Sequence, residues 1–213
     1  MKLVATTINV NNHRRLDAQV ADIEAAVETT GAQVLAVQEL SGPLVLPGFE
    51  VVQPRRRDGS FAGEAVVVAS ELETRTASSR LAVSGDLSGP GHPIRDRYVA
   101  TAWVRPPGSV WVKVLAHHAP PRDYPEAVLS SSRAALRAEA RPLHWIAGGD
   151  FNIRMPGARV VGDQVAGDRI DLWFASPALL AVCRRGPVLR FPERQDDHPA
   201  VAVTLDVPAR RFA

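Results

Sequence analysis

The chain has 213 residues, 46% apolar and 23% charged, a balance that fits one folded domain large enough to bury its own core and excludes a disordered chain. No apolar run reaches the roughly 20 residues a membrane span needs. The net charge is only +2 although the pI is about 9.1, so composition alone does not mark a nucleic-acid binder.

The single cysteine, Cys183, excludes an internal disulfide and offers no thiolate metal cluster. The N-terminus runs from Lys2 into an alternating strand without the apolar core and cleavage site of a signal peptide. A reducing, cytoplasmic setting is expected, and no obligate protein partner is evident. Arginines cluster at Arg55-Arg56-Arg57, Arg95 with Arg97, Arg184-Arg185 and Arg210-Arg211; a solvated loop is the plain reading of each.

Leu3 to Ile8 reads as a first strand, closed by Asn9. Leu16, Val20, Ile23 and Val27 then recur at helical spacing, with Gly31 where a C-cap glycine belongs. Val34-Leu35-Ala36-Val37 is a buried strand that delivers Gln38 and Glu39 at its carboxyl end, which makes a parallel crossover unit. Further strands are expected over residues 49–52, 65–69, 98–104, 110–116, 143–147, 170–175 and 201–205. A second helix is expected over 126–141, with Pro125 at its start and Pro142 at its stop. Many short strands and two clear helices favour an α/β domain of two packed sheets flanked by helices, spanning 1–213, over one doubly wound sheet.

Polar residues stand at the ends of apolar strands in five places: Asn9, Glu39, His117-His118, Asp150 with Asn152, and Asp197-His198. Strand ends present side chains from a rigid sheet, so this recurrence is the main signal of a site. Oxygen donors without cysteine suit magnesium, or manganese in its place, and magnesium needs only one or two carboxylates; Glu39, Asn9 and Asp197 would suffice. Taken singly, Asn9 reads equally well as a turn cap and Glu39 as a surface carboxylate. His117 and His118 are adjacent, so alternation sends them to opposite faces and one is structural. Asp171, inside Ile170-Asp171-Leu172-Trp173-Phe174, would cost several kcal/mol to bury without a partner. In Gly148-Gly149-Asp150-Phe151-Asn152 the glycines are expected to permit a tight turn at a strand end, with Asp150 and Asn152 on one side.

The Gly-Asp-Phe-Asn run, Gln38-Glu39 after an apolar strand, Asp168-Arg169-Ile170-Asp171-Leu172 and Asp197-His198 resemble, in order, the motif set of the endonuclease/exonuclease/phosphatase, or DNase-I-like, superfamily. The motifs span Asn9 to Val201, and Gly63 to Ser70 resembles the family's glycine-led central strand. The resemblance implies two packed mixed β-sheets flanked by helices, a four-layer α/β sandwich, and a magnesium-dependent phosphoesterase. It implies Glu39 as principal metal ligand, supported by Asn9 and Asp197. Asp150 would orient or deprotonate the attacking water, Asn152 would donate to the scissile phosphate, and His198 would contact a phosphoryl oxygen or transfer a proton, held by Asp171. A further histidine would assist the phosphate or leaving group: His118, or His117 by a one-residue shift, with His118 preferred.

The sequence departs from that pattern in three places. Pro199 follows His198 directly, the interval from Asn152 to Asp171 is short, which suggests an open, shallow site, and no equivalent of the tyrosine-bearing insert of abasic-site endonucleases is evident beyond Tyr124. A nuclease is the first reading, with Arg95, Arg97 and Arg154 placed to grip a phosphate backbone. A phosphatase of a small metabolite, phosphoinositide or lipid headgroup would use the same metal site, and a binding module that lost chemistry is the third reading.

Overall fold

The computed structural model describes residues 1–77, 79–85, 95–121, 123–152, 162–191, 194 and 198–210. Asp197 and Arg154 lie outside them. One six-stranded sheet contains, in spatial order, β12 (Cys183–Leu189), β13 (Ala200–Asp206), β1 (Lys2–Asn9), β2 (Val34–Gln38), β4 (Ala65–Ala69) and β3 (Phe49–Val52). The second contains β10 (Asp163–Asp168), β11 (Asp171–Ala175), β9 (Trp145–Asp150), β8 (Val112–His118), β7 (Arg97–Arg105) and β5 (Glu73–Thr76), with β6 (Arg80–Val83) also paired to β7. Both are mixed: β1–β2 and β8–β9 are parallel, and the other pairs are antiparallel.

Alternation along each strand builds the layers. Leu3 and Ala5, Val34 and Ala36, Val66 and Val68 turn from the first sheet onto Val112, Val114, Ile146 and Trp173 of the second, making the inter-sheet core. The opposite face of the first sheet, with Ile8, Leu35, Val37 and Val67, packs on Ile23 and Ala26 of α1 (Leu16–Thr30). The opposite face of the second, with Leu115, Trp145 and Phe174, packs on Val128, Ala135 and Leu136 of α2 (Glu126–Glu139). The result is the expected four-layer sandwich, and Gly31 caps α1 at φ 67°, its N–H donating to Val27 O. A one-turn helix, α3 (Pro177–Leu180), links β11 to β12.

The strands that sequence patterning missed are polar or irregular. β5 reads Glu-Thr-Arg-Thr and is largely exposed, β10 carries a register shift, and β12 is an edge strand whose shift falls between Arg185 and Val188, where Pro187 needs no ladder donor.

Gly148 and Gly149 do not make a turn; both lie inside β9 and neither has positive φ. They are glycines because there is no room for a Cβ. One on Gly149 would stand 1.8 Å from His117 O, and one on Gly148 would stand 2.7 Å from the Trp173 ring. The backbone that cannot yield at Gly149 is the neighbouring strand itself. Gly149→Ala is therefore expected to destabilise the fold by about 3 kcal/mol or more in denaturant titration, the upper range for overpacking; a loss below about 1 kcal/mol would show that β8 and β9 separate easily.

Candidate active site

Register and alternation bring three groups into one row. His118 pairs with Asp150 across β8–β9, and Asp150 pairs with Asp171 across β9–β11. All three share the strand face that carries Val114, Ala116, Ile146 and Trp173, so they prolong the inter-sheet core toward one open edge. The same alternation sends His117 to the other face, where its Nε2 is 2.8 Å from Ser132 Oγ of α2 and burial pushes its pKa down to about 3. His118 is thus the histidine at the cluster, and His117 is a core residue.

The first sheet delivers the rest. Asn9 ends β1, and Glu39 follows β2 at φ 63°, outside the extended range of the strand. The Asn9 Nδ2 donates to Glu39 Oε1 at 3.1 Å and to Asp150 Oδ2 at 3.3 Å, bridging the two carboxylates, while its Oδ1 accepts from Asn11 N. Asn12 N donates to Glu39 Oε2 at 3.1 Å. His118 Nε2 lies 3.5 Å from Glu39 Oε1 and 3.6 Å from Asp150 Oδ2. Glu39, His118 and Asp150 each offer a donor atom within 4.8 Å of the others, so the donor set fits a divalent cation. The expected set named Asn9 and Asp197 with Glu39; the structure gives Asn9 the bridging contacts just described.

From the loop before β13, His198 Nδ1 reaches 3.0 Å from Asp171 Oδ2 and 3.9 Å from Asp150 Oδ2. Asp171 is fully buried at the first position of β11, and this imidazole is its hydrogen-bond partner there. Asn152 adopts φ 52°, its N–H donating to Asp150 Oδ1 at 2.9 Å and its Nδ2 to Ala119 O at 2.7 Å. It has left the strand, so its position beside Asp150 comes from this turn and not from strand alternation.

Burial first, then Asp171, lifts the Asp150 carboxyl to about 7, against the pull of His198 and the Asn152 N–H. Burial also raises Asp171, with the His198 hydrogen bond opposing it. Burial and then Arg97 lower His118 well below the ordinary imidazole range, favouring a neutral ring, although the Glu39 and Asp150 oxygens beside it pull the other way.

Patterning gave no hint of Gln19, which is fully buried on α1. Its Nε2 donates to Asn11 O at 2.8 Å and Glu39 O at 3.1 Å, and its Oε1 accepts from Ser41 N and Oγ, so one amide ties together the segments that follow β1 and β2. A polar residue on the buried stripe of an amphipathic helix was the available signal. Gln19→Leu is expected to destabilise the fold by about 2–4 kcal/mol in denaturant titration; a loss below about 1 kcal/mol would show that the segments after β1 and β2 hold together without this amide.

A cleft of about 390 Å³ opens beside Glu39 and His118, lined also by His13, Arg56, Arg95, Arg97 and Tyr124. Arg95 is exposed at this rim. Arg97 is half-buried and donates to His118 O and Ala119 O at 3.2 and 2.8 Å, so it also supports the backbone at the end of β8. Glu64, 3% exposed in the same wall, accepts from Tyr98 N at 3.4 Å. Burial lifts its carboxyl to about 7, with Arg97 opposing. The folded chain therefore holds this proton more tightly than the unfolded chain does, so the associated stability is present below about pH 4.5 and is lost as pH rises through about 7. Glu64→Gln should match wild type near pH 4 and exceed it near pH 8, by up to about 3 kcal/mol in denaturant titration. Equal stabilities at both pH values would reject the shift.

Residues 6–196 match the family model described as "Endonuclease/Exonuclease/phosphatase family". No curated protein matches the sequence. Among solved structures, the chain is similar to the endonuclease domain of TRAS1, a telomere-specific non-LTR retrotransposon, with 16% identity over 97% of this chain and 99% of that one and a TM-score of 0.66. It is similar to the 3' phosphatase NExo from Neisseria bound to product DNA hairpin, with 17% identity, 96% and 99% coverage and a TM-score of 0.62. It also resembles a mannosyl-6-phosphatase from Bacteroides thetaiotaomicron, with 14% identity, 94% and 98% coverage and a TM-score of 0.57. At these identities the likeness concerns the fold. No helix among the described residues is long and apolar enough to cross a membrane.

Proposed function

Because the chain belongs to the endonuclease/exonuclease/phosphatase family and is thereby a phosphoesterase, we propose that it hydrolyses phosphodiester bonds of DNA or RNA by attack of water on phosphorus, with magnesium, or manganese in its place, as cofactor. The observation that carries this reading is the cluster of Glu39, His118 and Asp150 abutting the Asp171–His198 pair at the mouth of an arginine-rimmed cleft.

Glu39 would be the principal ligand of the cation, with Asn9 and Asp197 completing or supporting the set and Asp150 and His118 beside it for the reacting groups. A cation there would neutralise phosphoryl oxygens and draw the Asp150 carboxyl back toward its ionised form. Asp150 orients the attacking water and takes its proton at an Oδ atom, placed for this by the Asn152 N–H. Asn152 and His118 serve the phosphate and leaving group from either side of Asp150. Asp171 engages His198 at Nδ1, which supports a contact of Nε2 with a phosphoryl oxygen. Arg95, with Arg97 and Arg154, meets flanking phosphates.

The test is a panel of supercoiled plasmid, single-stranded DNA, RNA and phosphomonoesters including mannose 6-phosphate, with magnesium and with excess chelator. Chelator-sensitive cleavage of a nucleic acid supports the reading. Phosphate release from monoesters with every nucleic acid left intact would replace it with a small-molecule phosphatase.

A further inference from the structure

The cleft beside Glu39 continues past the catalytic cluster. Ser41, Arg56, Arg95 and Asp96 line it and also line a second depression of about 760 Å³, whose far wall includes Arg57, Ser60 and Phe61. That wall is a tight, internally bonded loop. Arg55 and Phe61 pair as an isolated antiparallel bridge, Arg56 N donates to Ser60 O at 2.7 Å, and Gly59 turns the chain at φ 84°. The Arg55 guanidinium lies over one face of the Phe61 ring at 4.1 Å.

The charges along the wall are not equivalent. Asp58 is turned onto its own loop, accepting from Ser60 N at 2.9 Å and Ser60 Oγ at 2.6 Å. Asp96 faces Arg57 at 3.8 Å and accepts from Gly85 N at 2.7 Å. Arg56 differs: it lines both depressions, and its Nη1 bonds the neutral Ser60 Oγ at 3.4 Å while its Nε is buried. A cation bonded to a hydroxyl keeps its charge for a phosphate oxygen in the groove. Phe61 is half-buried, so it offers aromatic surface to the second depression.

We propose that the two depressions are one groove for single-stranded nucleic acid, in which Arg56 takes the phosphate next to the scissile one and Phe61 stacks the adjoining base. The groove rests on the phosphodiesterase reading above and extends it to a substrate class: a chain with a phosphate and a base beyond the cleaved bond. A phosphomonoester of a small sugar held at Glu39 has no base to place on Phe61, which lines the second depression and not the first. The preformed loop loses little freedom on binding, and stacking tolerates any base, so length rather than sequence sets affinity.

The experiment measures binding of fluorescein-labelled hexathymidylate with phosphorothioate linkages, in chelator so that no bond is cut, alongside cleavage of unmodified hexathymidylate by wild type in magnesium. Arg56→Ala is expected to raise Kd roughly tenfold and to lower the slope of log K against log salt by about 0.7. Phe61→Leu should raise Kd by roughly tenfold or more, and Phe61→Tyr should restore it, which separates stacking from packing of the loop. If wild type cleaves the oligonucleotide while Arg56→Ala and Phe61→Leu bind it with unchanged Kd and slope, the groove is overturned and the phosphodiesterase reading stands. Tighter binding of a duplex of equal length would also overturn it. If wild type leaves nucleic acids intact and hydrolyses monoesters alone, the underlying reading fails, and the groove with it.

Discussion

Asp171→Asn is expected to lower turnover by roughly 10²–10⁴-fold, the range of a positioned acid or base, with the fold and metal affinity largely retained. Asp171 is fully buried, and its carboxylate lies 3.0 Å and 3.3 Å from His198 Nδ1. An amide of the same shape keeps the packing but loses the charge that favours a protonated ring and a defined tautomer. It also removes the charge that raises Asp150, so the mutant's Asp150 should titrate lower, and the acidic limb of the pH–rate profile should move to lower pH. Because the two residues act as one unit, adding His198→Ala should cost little beyond the worse single mutant. Multiplication of the two single losses, measured as kcat/KM in a double-mutant cycle, would refute the coupling.

The second large effect is at Glu39. Glu39→Gln should raise the magnesium concentration for half-maximal activity by more than the roughly 10–100-fold that disturbing an outer partner of a metal ligand costs. High magnesium should rescue part of the turnover. Without metal, Glu39 and Asp150 are two carboxylates held together through the Asn9 amide, so the mutant should be no less stable than wild type in chelator. Magnesium should raise the Tm of wild type far more than that of the mutant, because a ligand that binds only the folded state stabilises it in proportion to its affinity. Full activity at low magnesium, or an undiminished magnesium-induced rise in Tm, would remove Glu39 from the proposed ligand set.

Much of this arrangement was legible in the sequence. The alternation of Val112 to His118 separates His118 from His117, and the contact of His117 with Ser132 shows where the second ring goes. Asp171 stood out as a carboxylate in an apolar strand because burial without a partner is costly, and His198 is the partner the structure supplies. Polar edge strands such as β5 were not legible, since their backbone pairing comes from β7 and leaves no apolar period in Glu73 to Thr76.

What the sequence determined by itself is whatever depends on local period and on residue chemistry: two helices, the buried strands, the motif order, the chemical types Asn9, Glu39, His117 with His118, Asp150, Asn152 and His198 near strand ends, and the carboxylate Asp171 within an apolar strand. What only the tertiary structure decided is which of these atoms meet. Register puts His118, Asp150 and Asp171 in one row, and the packing of two sheets lays Asn9 and Glu39 against that row. The glycines before Asp150 belong to the same category, since their reason is the approach of His117 and Trp173 from adjacent strands and not a turn in their own. The bonds of Gln19 to the loops of Asn11 and Glu39, and the junction of two depressions at Arg56, likewise join residues far apart along the chain. Local pattern carries no information about such contacts because they depend on how sheets and loops pack, which is set by the summed burial of the whole core.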